Sequence, residues 1–450
     1  MKINQIDIEN FRGFEHRKIS LKKDVCVIIG NNTAGKTTLL KALQIGLGAF
    51  LQSMTSLPGG EAYLRNFSGT DVFKRFDPEK RDYLKNAGHT SVAVDALVYF
   101  SDYVDGRLEE DESREIHWLR EFKSAKTSHT RRDAGEIIDF AAKIEERRRL
   151  PGHNAVLPLL LSFGAKRTTD SQLHNRGGAK ERLSRVAKGY KKALHDKVDY
   201  EGAHRWLEHY DKDVRDGKEF AGTRDAFLEA LQLAIPALSE IDVDRGEIEA
   251  LVSVYGHKPE RHHLSYMSDG LQSMVNIVSE MAHRCIELNG FLGLEAVKKT
   301  PGVVIIDEID LYLHPHWQRH VLSDLRRAFP KIQFIVSTHS PFIVQSVESD
   351  GCLVSFDEGV DDSGEPFRES LEDISERRMG LQNEIRSKKF MEMEQAAEKL
   401  FDALDNDASN VEELRERLCR LEAEYSFDPA YQAMIRSEFK IKGVKKNETC

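Results

Sequence analysis

The chain has 450 residues and a formal net charge of −10, a length sufficient for about two to three domains. No run approaches the roughly 18 consecutive apolar residues that a membrane helix needs, and the first residues lack the apolar block of a signal peptide. The five cysteines lie far apart and form no C-x-x-C pair, which argues against a disulfide framework and a zinc site. These features predict a globular, cytoplasmic protein with no membrane partner.

The first third of the chain shows short apolar or alternating runs, which are typical of strands, and one run that is typical of a helix. Residues 52–89 mix glycine, charge and scattered aromatic residues, which predicts a variable loop region. The predicted strands are Ile3–Ile8, Lys18–Leu21, Val25–Ile29, Ser91–Phe100 and Val156–Phe163, and the predicted helix is Leu39–Phe50.

The character of the sequence changes after Gly164. From Lys180 to Leu238 apolar residues recur every three or four positions, which predicts an inserted helical subdomain. Strands and helices then alternate, as is typical of an α/β domain, and a charged helical segment, broken near residues 406–409, begins at Leu371. The predicted strands are Ile241–Asp244, Ala250–Tyr255, Gly302–Ile306, Ile332–Ser337 and Cys352–Phe356; the predicted helices are one that opens at Leu264–Gln272 and runs to about Leu288, Pro315–Phe329 and Pro341–Val347.

The loop after Val25–Ile29 matches the phosphate-binding pattern G-x-x-x-x-G-K-[ST], with a strand before it and a helix after it. Backbone N–H groups at a helix N-terminus bind a polyphosphate without bulky side chains. Lys36 reaches the outer phosphates, and the Thr37 hydroxyl holds Mg²⁺. The alternative, a chance glycine loop, does not account for a full match in this context. The predicted nucleotide-binding residues are Gly30, Asn31, Asn32, Thr33, Ala34, Gly35, Lys36, Thr37 and Thr38.

A second signal is the apolar strand Gly302–Ile306, which ends in two carboxylates. Acids at the carboxyl end of a buried parallel strand lie where an α/β sheet binds ligands. Asp307 would organise Mg²⁺ through its water shell, and Glu308 would polarise the attacking water. Two acids can also end a strand by chance, so the pair indicates a metal and water site only in combination with the phosphate loop.

Four segments resemble the ABC-type ATPase domain of the RecF, SMC and OLD group. They are Ile8–Phe14, which is similar to the N-terminal strand and turn of that group, Asp307–Asp310, Leu313–Pro315 and Ser337–Pro341. The resemblance covers roughly residues 1–50 and 240–360. It implies an α/β fold with an ABC-type P-loop head, in which a mixed sheet with flanking helices joins an antiparallel β lobe, and it implies ATP and Mg²⁺ as cofactors.

The resemblance also implies a site that a second subunit completes. Ser268, Asp269 and Gly270 would form the signature segment, which contacts the γ-phosphate across a dimer. A hydroxyl and free N–H groups at a helix N-terminus make an anion site for which the first chain has no apparent need. The alternative is an ordinary helix N-cap followed by a small-residue turn.

Three further residues take roles through the resemblance. Asp310 would lie in the D-loop, which faces the opposite protomer, and His339 would be the switch histidine that touches the γ-phosphate and the water. Arg12 would contact the nucleotide. A histidine is more often an ordinary core or surface residue, but the position of His339 after a predicted strand favours function.

The sequence departs from the group in two respects. No Q-loop glutamine stands out, since Gln172, Gln44 and Gln52 are equally weak candidates, which counts against a transporter ATPase. The acids Asp357-Glu358 and Asp361-Asp362 are followed by no α/β nuclease domain, and the composition there favours a solvated loop.

Charge is distributed unevenly, with nine Lys/Arg against two acids in Lys166–Lys192 and nineteen acids against ten bases in Asp361–Glu424. The basic segment predicts contact with nucleic acid, or else a solvated helix face. The acidic helical tail predicts docking of a partner or another copy. The predicted domains are an N-terminal ATPase lobe (1–165), a helical insertion (166–238), a C-terminal ATPase lobe (239–360) and a helical extension for assembly or partner binding (361–450).

Among relatives of this group, the compact size, the turn Phe163–Arg167, the lack of a nuclease domain and the helical tail most resemble the ATPase subunit of the Septu antiphage defence family (PtuA). That resemblance implies a homodimer or higher even-numbered oligomer with a separate, PtuB-like HNH nuclease. A RecF-like repair or recombination ATPase shares every motif and stays open as an alternative. So does an ATP-locked scaffold with little turnover.

Overall fold

The computed structural model describes residues 1–58, 63–85, 89–104, 106–123, 126–128, 131–165, 183–196, 200–244, 247–253, 258–357, 365–381, 388–405 and 410–425. Within these ranges no helix is long and apolar enough to cross a membrane. The chain divides into two compact units, a larger unit (Met1–Leu371) and a C-terminal unit (Glu372–Cys450).

Strands and helices are numbered in chain order. The strands are β1 (Lys2–Phe11), β2 (Phe14–Ser20), β3 (Val25–Ile29), β4 (Lys74–Asp77), β5 (Asp82–Lys85), β6 (Thr90–Val104), β7 (Arg107–Lys123), β8 (Lys126–Ser128), β9 (His153–Ala155), β10 (Leu159–Phe163), β11 (Leu238–Asp244), β12 (Glu247–Val252), β13 (Glu260–His263), β14 (Gly302–Ile306), β15 (Ile332–Ser337) and β16 (Gly351–Ser355). The helices are α1 (Lys36–Ser53), α2 (Arg131–Arg149), α3 (Arg185–Tyr190), α4 (Tyr200–Arg215), α5 (Thr223–Ala234), α6 (Asp269–Asn289), α7 (Ala296–Lys299), α8 (Pro315–Gln318), α9 (Val321–Ala328), α10 (Pro341–Gln345), α11 (Leu371–Asp373), α12 (Lys388–Asp405) and α13 (Val411–Tyr425).

A parallel sheet with the strand order β10-β14-β15-β3-β16 forms the centre of the larger unit. Every residue of β3, β10, β14 and β15 is buried, which is why these strands have continuous apolar sequences. Because the carboxyl ends of parallel strands meet at one edge, the segments that follow β3, β14 and β15 converge there. This sheet, its flanking helices and a separate antiparallel sheet confirm the predicted α/β fold class.

The antiparallel sheet has the order β2-β1-β6-β7-β8, and β9 pairs with β6. Its long β6–β7 hairpin extends the strand predicted at Ser91–Phe100 and adds β7, which was not predicted. Most of β7 is charged, and its buried residues Ile116, Trp118 and Arg120 alternate along only a short stretch. The weak alternation concealed the strand.

Helix α1 joins the two sheets, because it follows the loop after β3 and packs against β1, β6 and β7. Trp118 of β7 donates its indole N–H to the Gly46 carbonyl (2.9 Å), and Arg120 donates to the Ile45 carbonyl (2.7 Å). A Cβ at Gly46 would lie 2.7 Å from a Val94 methyl group, so only glycine allows this approach. The antiparallel sheet therefore fixes the helix that carries the phosphate loop.

The described part of the helical insertion consists of α3, α4 and α5, which pack against α6. Arg284 of α6 is buried, is paired with Glu280 (2.6 Å) and donates to the carbonyls of Gly189 (2.7 Å) and Lys191 (2.9 Å). A small antiparallel sheet, β11-β12-β13, leads from the insertion into α6. The insertion is thus tied to the helix that begins at Asp269.

Other differences from the sequence prediction are local. The region predicted as a variable loop, residues 52–89, contains the β4–β5 hairpin, in which Phe76 faces Tyr83. The single helix predicted at Pro315–Phe329 is two helices, α8 and α9, interrupted at Arg319 and His320. Strand β13 and helix α2 were not predicted, because β13 is only four residues long and α2 is rich in charge.

The C-terminal unit contains the helices α12 and α13, which pack against each other. Met393, Ala396, Ala397 and Leu400 of α12 and Leu418 of α13 form its buried core. The spacing of these residues by three or four positions is the helical pattern that the sequence shows. Both helices agree with the prediction of a helical extension.

Candidate nucleotide-binding site

The loop between β3 and α1 has the backbone conformation that its glycines permit. Gly30 (φ +147°) and Gly35 (φ +113°) take positive φ angles, which cost glycine little, and Thr33 (φ +74°) lies in the left-handed region. Asn31, Asn32 and Thr33 are exposed, and Ala34 and Thr38 are half-buried. The loop therefore presents its backbone toward solvent immediately before the N-terminus of α1.

Lys36, the first residue of α1, folds back onto this loop. Its ammonium group donates to the carbonyls of Gly30 (2.5 Å) and Asn31 (3.0 Å). Burial lowers the pKa of Lys36 and is opposed by nearby carboxylates, first Asp357 and then Asp307. The lysine is thus held at the loop by its carbonyls and by the acids beyond the strand ends.

The end of β14 lies beside the start of α1. Thr37 Oγ1 donates to Asp307 Oδ2 (3.2 Å), and Ser337 Oγ, at the end of β15, donates to Asp307 Oδ1 (2.5 Å). A hydroxyl and a carboxylate are hard oxygen ligands, and Mg²⁺ in phosphate sites keeps several waters while binding one or two such groups. Thr37 and Asp307 therefore fit the metal assigned to them from the sequence.

Glu308 follows Asp307 with a left-handed backbone (φ +50°). Its N–H donates to Ser337 Oγ (2.8 Å), the same hydroxyl that donates to Asp307. A non-glycine residue at positive φ costs free energy and persists only where its surroundings impose it. Ser337 therefore holds the two acids in a defined relative position.

Asp310 connects the loop after β14 to the segment after β15. Thr338 Oγ1 donates to Asp310 Oδ1 (2.5 Å), and the His339 N–H lies 3.4 Å from the same oxygen. Ser340 Oγ donates to Gln318 (2.6 Å), which adds a second link between these segments. His339 itself is exposed at the carboxyl edge of the parallel sheet. The structure thus brings Asp310 and His339 together at the edge where the phosphate loop begins.

Ser268, Asp269 and Gly270 stand at the N-terminus of α6. Ser268 and Asp269 are exposed, and the Ser268 side chain makes no capping hydrogen bond to this helix. In the described part of the chain, no hydrogen bond or ion pair joins these residues to the phosphate loop. They are not brought into the site of their own chain.

Arg12 lies in the turn between β1 and β2, at φ +50°. Its side chain donates to Asp71 Oδ1 (2.6 Å), and its N–H donates to the Asp71 carbonyl (2.8 Å). The Arg12 side chain, which was predicted to contact the nucleotide, is therefore already paired with the buried carboxylate of Asp71. Its role toward the nucleotide stays a prediction.

A comparison with known families agrees with this geometry. The sequence model described as "AAA domain, putative AbiEii toxin, Type IV TA system" matches residues 25–345, a range that includes the phosphate loop, Asp307, Glu308 and His339. The chain belongs to this family. It is an ABC-type ATPase of the RecF, SMC and OLD group, and the resemblance predicted from the sequence is confirmed.

Curated relatives of this ABC-type ATPase carry related names. "Retron Ec83 probable ATPase" of Escherichia coli is 24% identical over 418 residues, 78% of this chain and 70% of that protein. "Septu protein PtuA" of Bacillus thuringiensis is 29% identical over 166 residues, 31% of this chain and 40% of that protein. "Septu protein PtuA" of Bacillus mycoides (strain KBAB4) is 34% identical over 110 residues, 24% of this chain and 14% of that protein. The matches span less than half the length of either Septu protein.

Solved structures of SMC head domains are similar to this ATPase at low sequence identity. The SMC head domain from Thermotoga maritima is 15% identical, with a TM-score of 0.39, and the match covers 79% of this chain and 94% of that one. A head domain from Pyrococcus furiosus, bound to the C-terminal domain of ScpA, is 17% identical with a TM-score of 0.40, over 80% and 94% of the two chains.

Two of the weak Q-loop candidates have structural roles in this ATPase. Gln44 is buried in α1 and donates to Asp196 (2.8 Å), and Gln52 accepts a hydrogen bond from Arg120 (2.9 Å). Gln172 lies outside the described residues. Gln44 and Gln52 therefore fix the position of α1 through side-chain hydrogen bonds.

Only part of the predicted basic segment, Lys166–Lys192, is described, since residues 166–182 lie outside the described ranges. Arg185 pairs with Glu219 (3.0 Å), and Lys188 lies 3.8 Å from Glu287. These two bases connect elements of the ATPase itself. Nucleic-acid binding by the segment stays a prediction.

Sequence reasoning missed three residues at the site. Ser337 and Thr338 enter the sequence prediction only as part of the segment Ser337–Pro341, although their hydroxyl groups hold the acids after β14. Asp357, in the predicted solvated loop, is half-exposed, and its carboxylate accepts a hydrogen bond from the Asn31 N–H; the other acids of that loop lie outside the described residues. No motif marks Asp357, because its contact depends on the pairing of β16 with β3.

Proposed function

We propose that this ATPase hydrolyses ATP with Mg²⁺ and works as a subunit of an antiphage defence complex. The observation that carries the proposal is the hydrogen bond from Thr37 Oγ1 to Asp307 Oδ2 (3.2 Å). It joins the phosphate loop to the acidic end of β14, across 270 sequence positions. A P-loop ATPase needs these two parts side by side to hold the phosphates and the metal.

In this mechanism each residue acts from the position described above. Lys36 exchanges the loop carbonyls for the outer phosphates, and the N-terminus of α1 stabilises their charge. Bound Mg²⁺ supplies positive charge near the phosphate oxygens, with Thr37 and Asp307 as its protein partners. Glu308 orients the attacking water and takes its proton, and His339 contacts the γ-phosphate from the end of β15.

The signature segment supports a dimer. Ser268 and Asp269 are exposed at the start of α6, a helix end that favours negative charge, and they have no hydrogen bond to the loop of their own chain. A head-to-tail arrangement of two copies, or a higher even-numbered oligomer, would bring each segment to the other copy's γ-phosphate. The partner's segment would then offset charge that develops during hydrolysis.

The biological setting rests on similarity. Septu PtuA proteins and retron ATPases are among the relatives, and the sequence features resemble the Septu ATPase subunit. We therefore propose a separate HNH nuclease subunit as the partner that this ATPase regulates.

Two variants test the ATPase assignment. Lys36→Ala removes the ammonium group that reaches the phosphates, and we expect ATP affinity in calorimetry to fall by at least about tenfold. Glu308→Gln keeps the size but removes the base, and we expect turnover to fall roughly 10²–10⁴-fold while ATP affinity changes little.

Matched controls are available at exposed positions. Lys23→Ala removes a lysine just before β3, at the opposite end of the strand that precedes the loop, and Glu348→Gln changes an exposed acid. Both controls should retain wild-type binding and turnover. Unchanged ATP affinity in Lys36→Ala would refute the phosphate-loop assignment. Equal turnover of the wild type and Glu308→Gln would instead favour an ATP-locked scaffold.

A further inference from the structure

Two cysteines that are 326 positions apart meet in the central parallel sheet. Cys26 of β3 and Cys352 of β16 are direct neighbours in the register of these two strands. The Cys352 thiol donates to Cys26 Sγ, and the two sulfurs are 2.8 Å apart. Both side chains are thiols in the structure. Neither cysteine belongs to the nucleotide-binding residues, so the pair is a separate feature of the sheet.

The position of the pair suits a disulfide bond. Neighbouring strands of a sheet lie roughly 4.7–4.9 Å apart, and disulfides join residues whose Cα atoms are about 4.4–6.8 Å apart. Neighbours in register meet this requirement through the strand spacing alone. The two side chains also point toward each other, since their sulfurs are in contact. Bond formation therefore requires the sulfurs to approach each other while both strands are already in place.

The two thiols differ in access and in acidity. Cys26 is fully buried, whereas Cys352 is half-buried in β16, the last strand in the order of the sheet. The hydrogen bond with Cys352 and burial raise the pKa of Cys26 well above its ordinary value, so Cys26 stays a neutral thiol at neutral pH. Its S–H donates to the Lys23 carbonyl (3.6 Å). A small oxidant therefore reaches Cys352 first.

We propose that Cys26 and Cys352 form a reversible disulfide when the protein meets hydrogen peroxide or another small peroxide. First, Cys352 Sγ attacks one oxygen of hydrogen peroxide, the O–O bond breaks, and a sulfenic acid and one water form. Cys26 Sγ then attacks the oxidised sulfur, the S–O bond breaks, and the hydroxyl group leaves as water with the proton of the Cys26 thiol. The two sulfurs lose two electrons in total, and hydrogen peroxide is reduced to two waters.

The disulfide fastens β16 to β3, the strand that leads into the phosphate loop. It joins residues 326 positions apart, and a cross-link that closes a long segment of chain stabilises a fold by restricting the unfolded state. A small thiol reverses the bond by thiol–disulfide exchange. The pair thus makes the stability of the sheet respond to oxidants. This inference does not depend on ATP binding, because it concerns the strands behind the loop.

The test is hydrogen peroxide treatment of the full-length protein, followed by alkylation, digestion without a reductant and mass spectrometry of the peptides. We expect two peptides joined through Cys26 and Cys352, lighter by two hydrogens than their sum, and their separation by dithiothreitol. The oxidised protein should melt about 5 °C higher than the reduced protein. Cys285→Ala is the matched control, since Cys285 is fully buried in α6 and outside the sheet. It should show the same link and the same shift.

Two further variants test the order of the steps. Cys26→Ala removes the second step, so Cys352 should stop at the sulfenic acid and react with dimedone. Cys352→Ala should show no link, no rise in melting temperature and no dimedone adduct at Cys26. Because Cys352 is half-buried, this variant still reports if Cys26→Ala does not fold. Wild-type Cys352 that is alkylated, oxidised further to the sulfinic acid or joined to a second chain, without a Cys26–Cys352 peptide pair, would overturn the proposal.

Discussion

At the scale of single residues, Asp71 holds Arg12, a predicted nucleotide contact, although Asp71 is not itself a predicted site residue. Its carboxylate is buried and accepts from Arg12 (2.6 Å) and from the N–H (2.9 Å) and hydroxyl (2.9 Å) of Ser68, and Arg65 lies 3.8 Å away. Burial raises the pKa of Asp71, but the hydrogen bonds from Arg12 and Ser68 outweigh it, and the net pKa lies below its ordinary value. Asp71 therefore anchors the turn that carries Arg12.

We predict that Asp71→Asn lowers the free energy of unfolding of the larger unit by about 3 kcal/mol at pH 7, because it leaves Arg12 without its buried partner. The folded-state pKa is depressed, so the unfolded chain binds more protons as the pH falls below about 4. The contribution of Asp71 is thus present at neutral pH and lost as the pH falls through the folded pKa. The difference in the free energy of unfolding between Asp71→Asn and the wild type should therefore become smaller as the pH falls below about 4.

Urea titrations followed by tryptophan fluorescence measure this effect. Trp118, Trp206 and Trp317 are the three tryptophans of the sequence, and all lie in the larger unit, so the signal reports on that unit. Asp24→Asn, which breaks an exposed ion pair with Lys2, should cause a smaller loss at pH 7. A constant difference at all pH values would contradict the electrostatic account.

Residue types with a fixed local spacing were predictable from the sequence. The loop from Gly30 to Thr37 and the pair Asp307-Glu308 follow strands whose apolar runs are visible in the sequence. The parts that were not predictable depend on strands that are neighbours in the sheet and distant in the chain. Asp357 reaches Asn31 only because β16 pairs with β3, and one sequence contains no signal for that pairing.

At the scale of elements, α6 and the loop after β14 are packed as one piece. A Cβ at Gly270 would lie 2.3 Å from the Tyr312 carbonyl oxygen, so the backbones touch where the signature segment begins. Tyr312 is exposed and takes a left-handed conformation (φ +66°), which is costly for an aromatic residue. Because the loop also contains Asp310, the signature segment and the D-loop of one copy would meet a second copy together.

We predict that Ser268→Arg blocks dimerisation while each copy still binds ATP, because a bulky side chain at the start of α6 prevents close approach of the second phosphate site. Light scattering in the Glu308→Gln background with ATP should give twice the chain mass, and adding Ser268→Arg should return it to one. Calorimetry should give the same ATP affinity per chain within about twofold, apart from the contribution of the dimer.

Ser20→Arg provides the control, since it introduces the same exposed side chain at the end of β2. It should dimerise as the background does. A monomer in the Glu308→Gln background with saturating ATP would argue against the head-to-tail assembly, and a dimer that persists with Ser268→Arg would argue against this surface.

Elements differ in how much of their structure the sequence revealed. The strands β3, β14 and β15 are buried on both faces, so their runs of apolar residues are unambiguous. Strand β7 carries many charges, which hide its alternation, although the dipeptide Asp105-Gly106 between β6 and β7 is a strong hairpin signal in the sequence. Apolar residues recur with a clear period only in an element that buries one face in the core. An element with little buried surface therefore shows no such period and is not predicted from it.

At the scale of the whole molecule, the chain combines the ATPase with a unit of different composition. The C-terminal unit begins at Glu372, and its helices α12 and α13 enclose a core of their own. From Glu372 to Glu424 acids outnumber bases by fifteen to nine, and over the whole unit, 372–450, by eighteen to fourteen. The residues of the nucleotide site, up to Asp357, all precede this unit. A hairpin of helices with an acidic surface is suited to bind a partner protein.

We predict that deleting residues 372–450 leaves ATP affinity within about twofold of the wild type and abolishes binding of the proposed nuclease subunit. The deletion removes a unit with its own core, so the phosphate loop keeps its sheet and helix. Calorimetry measures ATP binding, and pull-down with light scattering measures assembly. Leu400→Asp, which places a charge in the buried core of α12, should reproduce the loss of partner without shortening the chain. Retention of the nuclease by both variants would assign its docking surface to the ATPase unit, and the C-terminal helices would then need another role.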